Sequence, residues 1–131
     1  MSAFGNYAPA EVIDAAEKCI SKMDEADVAR AVGQSEQTMS AGGRTLLIEA
    51  IFDAFRARGE SSDDVAEGAG TNVDALRSGN SAAVSALMEY ARQNPGLFKE
   101  AAIVLIERNP EIVSQLAPEL AGGIAARLRD R

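Results

Sequence analysis

Four groups of residues have types and spacings that chemistry could use. The densest is acidic: Asp63-Asp64 with Glu60 and Glu67. Paired carboxylates serve as acid and base, or ligate Mg²⁺ or Ca²⁺. Catalysis would need burial to raise one pKa, yet these residues fall at an exposed helix start. The alternating acids, central glycine and closing glutamate of a calcium loop are absent. The group therefore reads as a complement to a helix dipole. Glu49 and Asp53, one helical turn apart, read as a solvated face beside Arg56. Cys19 has Lys18 and Lys22 nearby, which would favour a thiolate. It also falls on an apolar helical stripe and reads as a small core residue. Gly68-Ala69-Gly70-Thr71 and Ala41-Gly42-Gly43-Arg44-Thr45 are glycine-rich, and Arg44 could hold one phosphate. Neither matches a Walker loop or a dinucleotide fingerprint, and no strand precedes them. Glycines where helices cross explain both stretches.

The missing residue types narrow the chemistry further. The 131 residues include no His, no Trp and one Cys. Cys–His and Ser–His pairs, Cys/His zinc sites and an intrachain disulfide are therefore excluded. No catalytic, cofactor or metal site is expected, and a non-enzymatic role follows. A single Cys suits a reducing cytoplasm. Met1–Ala10 has neither the basic nor the apolar region of a secretory signal. The longest apolar run, Ala101–Ile106, is far below the roughly 20 residues that span a bilayer. A cytoplasmic location with no membrane partner is the expectation.

A fifth pattern concerns nucleic acid. Val28 to Met39 resembles the core of a helix-turn-helix. In that motif a small Ala lets two helices cross, a Gly turns the chain, and an apolar residue six positions later anchors the second helix. Ala29, Gly33 and Met39 occupy those places, and Ala66, Gly70 and Leu76 do so again. The expected base-edge and phosphate contacts are Ser35, Gln37, Thr38, Ser40 and Arg44, then Asn72, Asp74 and Arg77. Charge opposes this reading. The formal net charge is −7, and residues 34–43 contain one acid and no base. DNA affinity rests largely on several Lys or Arg meeting phosphates.

The elements that position these residues are all helical, because 3.6-residue periodicity runs through the sequence and sustained alternation does not occur. Residues 1–8 read as a loose lead. Pro9 opens a helix to about residue 23, with Val12, Ala15, Ala16, Cys19, Ile20 and Met23 as its stripe. Asp24 caps a short helix, about 25–32, which Gly33 ends. Ser35 caps a long segment, about 36–58, that Gly42-Gly43 either breaks or kinks, at a helix-interior cost of about 2 kcal/mol. Gly59 stops it.

The pattern then returns 37 residues later. Ser61 or Ser62 caps a short helix, about 63–69, which Gly70 ends. Asn72 caps a longer segment carrying Leu76, Gly79, Val84, Met88 and Ala91. We read an internal duplication with units at about 24–59 and 61–93. Asn94-Pro95 and Asn109-Pro110 each place an N-cap before Pro at the first helical position. They predict helices at 95–108 and 110–117, the first enclosed on nearly every face. Pro118 starts a final helix with Leu120, Ile124 and Leu128, and the C-terminal helices together cover about 95–130.

Residues 27–60, from Asp-Val-Ala-Arg-Ala-Val-Gly through Phe-Asp-Ala-Phe-Arg-Ala-Arg-Gly-Glu, resemble the bacterial YidB-like all-helical proteins. The resemblance covers about a quarter of the chain and rests on helix patterning. It implies a helical fold, and it implies no activity or site residues.

The expectation is thus an all-α, single-domain bundle of six to seven helices containing a duplicated short-helix/long-helix unit. Its expected role is to bind another protein or itself, as a regulator or adaptor. Small residues along the stripes and the flexible Met39 and Met88 suit close helix packing between chains. Leu116, Leu120, Ile124 and Leu128 form the expected partner surface. A helix-turn-helix DNA-binding regulator is the alternative.

Overall fold

A computed structural model describes residues 7–130. The loose lead expected at 1–8 lies, for its first six residues, outside that range. The helices are α1 (Pro9–Lys22), α2 (Glu25–Thr38), α3 (Ala41–Ala57), α4 (Ser62–Gly68), α5 (Val73–Arg77), α6 (Ser81–Arg92), α7 (Leu97–Arg108) and α8 (Pro118–Arg129). A 3-10 helix, Pro110–Gln115, joins α7 to α8. The fold is all-helical. The described residues hold eight α-helices and one 3-10 helix, more than the six to seven expected.

The segment expected to form the second repeat unit accounts for part of the excess. Its expected long helix from Asn72 breaks at Gly79, whose φ of 81° is left-handed backbone that favours glycine. Asn80 then caps α6 by accepting from the Ala83 N–H at 3.0 Å.

The first unit departs the other way. α2 does not stop at Gly33; it runs on to Thr38. Ser35 is therefore not an N-cap. It sits inside α2, 1% exposed, on an inner face with Val28, Ala31 and Val32. The chain breaks instead at Met39-Ser40, and Ser40 caps α3 by accepting from the Gly43 N–H at 3.1 Å. Gly42 and Gly43 thus fall in the first turn of α3 and neither break nor kink a helix interior. Gly43 is there for close approach: a Cβ would lie 2.8 Å from Gln115 Oε1. Gly42 faces open space.

The two Asn-Pro pairs part company: Asn109 stands at the N-cap position with Pro110 opening the 3-10 helix, as expected, whereas Asn94-Pro95 falls in the turn before α7. Neither Asn caps the following helix with its side chain. The Asn94 side chain donates back to the Tyr90 carbonyl at 3.0 Å, and that of Asn109 to the Leu105 carbonyl at 3.4 Å. Each asparagine closes the helix before it, where the last carbonyls lack intrahelical partners. Pro95 precedes Gly96, at φ 79°, and α7 begins only at Leu97.

The expected enclosure of the next helix holds. Leu97, Phe98, Ala101, Ala102, Leu105 and Ile106 of α7 are buried, and α7 packs on α1, α2, α3, α6 and the 3-10 helix. α1 lies across α8, where a Cβ on Gly123 would come within 2.8 Å of Cys19 Sγ. Among the described residues, no helix is long and apolar enough to cross a membrane.

Candidate functional site

The expected partner stripe is the inner face of α8. Leu120, Ile124 and Leu128 are buried in the chain's own core, and Leu116 packs half-buried against it. The periodicity marks a true apolar face, and the chain's own core takes up Leu120, Ile124 and Leu128. Met39 and Met88 are buried as well.

The expected DNA contacts do not form a common reading face. Ser35 Oγ donates to the Ala31 carbonyl at 2.7 Å and accepts from the Ala117 N–H at 2.8 Å. Ser40 donates through both N–H and hydroxyl to Gln115 Oε1, each at 3.0 Å. These bonds clasp the end of α2 to the start of α8, and the α2–α3 junction to the end of the 3-10 helix. Arg44 donates to the Glu36 carbonyl at 3.0 Å and the Gln37 carbonyl at 3.4 Å, closing the end of α2. Asn72 caps α5 through the Ala75 N–H, and Arg77 pairs with Glu49 at 3.3 Å. α5, the second candidate reader with Asp74, is five residues long. Gln37 and Thr38 are exposed. The seven arginines from Arg30 to Arg108 each reach a carboxylate within 3.9 Å.

Of the acidic residues, Asp63, Asp64 and Glu67 are exposed on α4, with Asp63 and Asp64 in its first turn, whereas Asp53 and Glu60 hold other side chains. Asp53 is not a solvated carboxylate. Its side chain is 15% exposed, bonds Arg56 at 2.5 Å, and pairs with Arg108 at the end of α7. Arg56 continues to Ser62 at the start of α4. Glu60 accepts from the Tyr90 hydroxyl at 3.2 Å, and the Tyr90 ring stacks on Phe55 with centroids 5.4 Å apart. Burial pushes the Tyr90 pKa up, and the negative charge of Glu60, its hydrogen bond and Asp64 act the same way. Among the described residues, no group of three or more Cys, Asp or Glu is placed to hold a metal ion.

The glycine-rich stretches also spend their N–H groups internally. Gly70 N–H donates to the Glu67 carbonyl and Thr71 N–H to that of Ala66. Gly68 lies under Tyr90, whose ring a Cβ would meet at 2.9 Å. Cys19 behaves as a core residue: burial raises its thiol pKa, and Arg127 rather than a lysine opposes that shift.

An open groove of about 640 Å³ runs along the outer face of α2. Ala26, Ala29 and Gly33 supply its small-residue wall, and the fully buried Phe98 contributes from α7. Arg30, Gln34, Gln37 and Arg92 give it polar edges, and Glu25 stands at one end. Glu25 Oε2 is shielded from solvent and has no hydrogen-bond partner. Of these residues the sequence reading singled out only Gln37 as a contact. The missed signal was the 3/4 spacing of Ala26, Ala29, Gly33 and Gln37, opposite Val28, Ala31, Val32 and Ser35. Reading Gly33 as a terminator cut that face in two. Arg92 and Phe98 arrive only through packing of the α6–α7 turn.

Comparison of the chain with protein-family models, with curated proteins and with solved structures gives no match.

Proposed function

We propose that the chain is a non-enzymatic, helical protein-interaction module, acting as a regulator or adaptor, and that it docks its partner along α2. The α2 groove carries this reading. Its volume of about 640 Å³ lies within the usual range for ligand clefts. Small side chains on one helix let another backbone approach closely. The polar edges formed by Gln34, Gln37, Arg30 and Arg92 supply donors and acceptors around that approach. No observation favours the helix-turn-helix alternative, since α2 is unbroken at Gly33 and the nearby arginines already meet carboxylates or carbonyls.

Ala26 is exposed on the groove wall, so Ala26→Arg obstructs the groove without entering the core. Light scattering of the free chain and capture from cell extract test the reading together. Either self-association or one stable protein partner is expected with the natural chain, and Ala26→Arg is expected to lose it. A monomer without a partner, or a partner held equally by Ala26→Arg, would contradict it.

A further inference from the structure

We infer that residues 60–95, which carry α4, α5 and α6, form a cap that opens as one cooperative unit while the rest of the fold stays closed. This opening is independent of what docks along α2. The chain enters the cap through Gly59, at φ 89°, and leaves it through Gly96, at φ 79°. Both are left-handed backbone, where glycine turns freely. Entry and exit lie side by side, because Arg58 Nη2 donates to the Pro95 carbonyl at 2.8 Å. The same guanidinium bonds Glu100 in the first turn of α7 at 3.0 Å, so it clamps the end of α3 to the start of α7 across the base of the cap. A segment whose ends are already held together is released without pulling α3 and α7 apart.

Within the cap, each helix depends on the others. α4 and α5 are seven and five residues long, too short to persist alone in water. Tyr90 ties α6 to them. Its hydroxyl donates to Glu60 at 3.2 Å, and its ring lies over Gly68, where a Cβ would meet it at 2.9 Å. The three helices also pack on one another, and Val65, Leu76 and Leu87, one from each, are buried. Loss of one helix removes support from the other two, which is the condition for cooperative opening.

The hold of the cap on the body is lighter than the packing inside the body. α4 and α5 rest on α3, and α6 rests on α7. The Tyr90 ring stacks on Phe55, and half-exposed Arg77 pairs with Glu49 between α5 and α3. Exposed pairs of this kind contribute little. Of the largest fully buried side chains among the described residues, the cap supplies Leu76 and Leu87, whereas Ile20, Phe52, Phe55, Phe98 and Ile106 belong to the body. Regions with less apolar burial open at lower free energy than the core. Opening uncovers Phe55 and withdraws Arg92 from the α2 groove, so the cap sets one edge of that groove.

Native-state hydrogen exchange of the full chain in low urea, read amide by amide by NMR, tests this. Val65, Leu76 and Leu87 are expected to converge on one opening equilibrium with one urea dependence. Ile20 and Leu105 of the body are expected to exchange about tenfold more slowly, or slower still. Tyr90→Leu removes the ring stack and the Glu60 bond, and should speed all three cap amides alike by about three- to tenfold. Ser35→Ala, which weakens the body, should speed Ile20 and Leu105 by about fivefold or more and leave the cap amides unchanged. One shared equilibrium and urea dependence for cap and body overturns the inference, because the molecule then opens only as a whole. Separate equilibria for the three cap helices overturn it as well. So does a Tyr90→Leu effect confined to α6, or an equal response of cap and body to Ser35→Ala.

Discussion

Two segments whose residue patterns match at an offset of 37 residues fold differently. Gly33 and Gly70 correspond at that offset, as do Ser35 and Asn72. In the second unit Gly70 adopts a φ of 83°, ends α4, and Asn72 caps the next helix. In the first unit the helix continues through both positions. The cause lies 82 residues further on. Ser35 is turned inward to accept from the Ala117 N–H, and its own hydroxyl is satisfied by Ala31 one turn back. Asn72 is exposed and has no such distant partner. A glycine followed by a capping residue is thus permission for a turn, and tertiary packing decides whether it is taken.

That choice creates the groove. An α2 ending at Gly33 would have a short outer face. An α2 reaching Thr38 presents Ala26, Ala29, Gly33 and Gln37 as one strip facing Arg92. Burial, unlike the chain breaks, is alike at the corresponding positions. Met39 and Leu76, Leu47 and Val84, Ile51 and Met88, and Ala54 and Ala91 pair at the 37-residue offset, and all eight residues are buried.

This shared burial predicts the largest effects. Met39→Ala and Leu76→Ala should each lower unfolding stability by about 2–5 kcal/mol in denaturant titration. A near-neutral result at either position would break the correspondence. The next effect separates the units. Ser35→Ala leaves the buried Ala117 N–H without its acceptor, at about 1–3 kcal/mol. Asn72→Ala removes only an exposed cap, typically about 1 kcal/mol.

The glycines should respond with opposite signs. Gly70→Ala forces a side chain into left-handed backbone and should cost about 1–2 kcal/mol. Gly33→Ala lies in a continuous helix with ordinary van der Waals room, and should stabilise by about 0.5–1 kcal/mol. Equal destabilisation by both would mean that the chain also turns at Gly33.

The smallest effect concerns pH. Tyr90 occupies the place in the second unit that Asp53 holds in the first. Its folded pKa is raised above the ordinary 10.0, so its contribution to stability is complete below that value and is lost as pH rises through the folded pKa. Thermal unfolding between about pH 9 and 11 should therefore fall less steeply for Tyr90→Phe than for the natural chain. Parallel curves would remove Tyr90 as a source of alkaline sensitivity.

Much of the fold was legible because apolar periodicity records burial directly. Val12, Ala15, Ala16, Cys19 and Ile20 of α1, Val84, Met88 and Ala91 of α6, and Leu120, Ile124 and Leu128 of α8 are buried where the spacing puts them. The Ser61 cap, the Gly59 stop and the Pro118 start were equally local signals. The breaks at Met39-Ser40 and Gly79 were less legible. The first depends on Gln115 bonding Ser40 and on Arg44 closing α2, contacts between segments far apart in sequence or across a turn. The partner stripe was assigned to the surface because periodicity identifies an apolar face without saying what covers it. Leu120, Ile124 and Leu128 are covered by the chain itself. The groove stayed hidden because its residues come from three helices, and only the α2 residues share a period.

The continuity of α2 through Gly33 underlies both the contrast between the units and the groove. Backbone chemical shifts and amide hydrogen exchange, read for Gly33 and Gly70 in one sample, test it most directly. Helical shifts from Ala31 to Gln37, with protected amides at Gly33 through Ser35, are predicted, alongside a non-helical Gly70. Turn-like shifts and rapid exchange at Gly33, matching those at Gly70, would contradict the account.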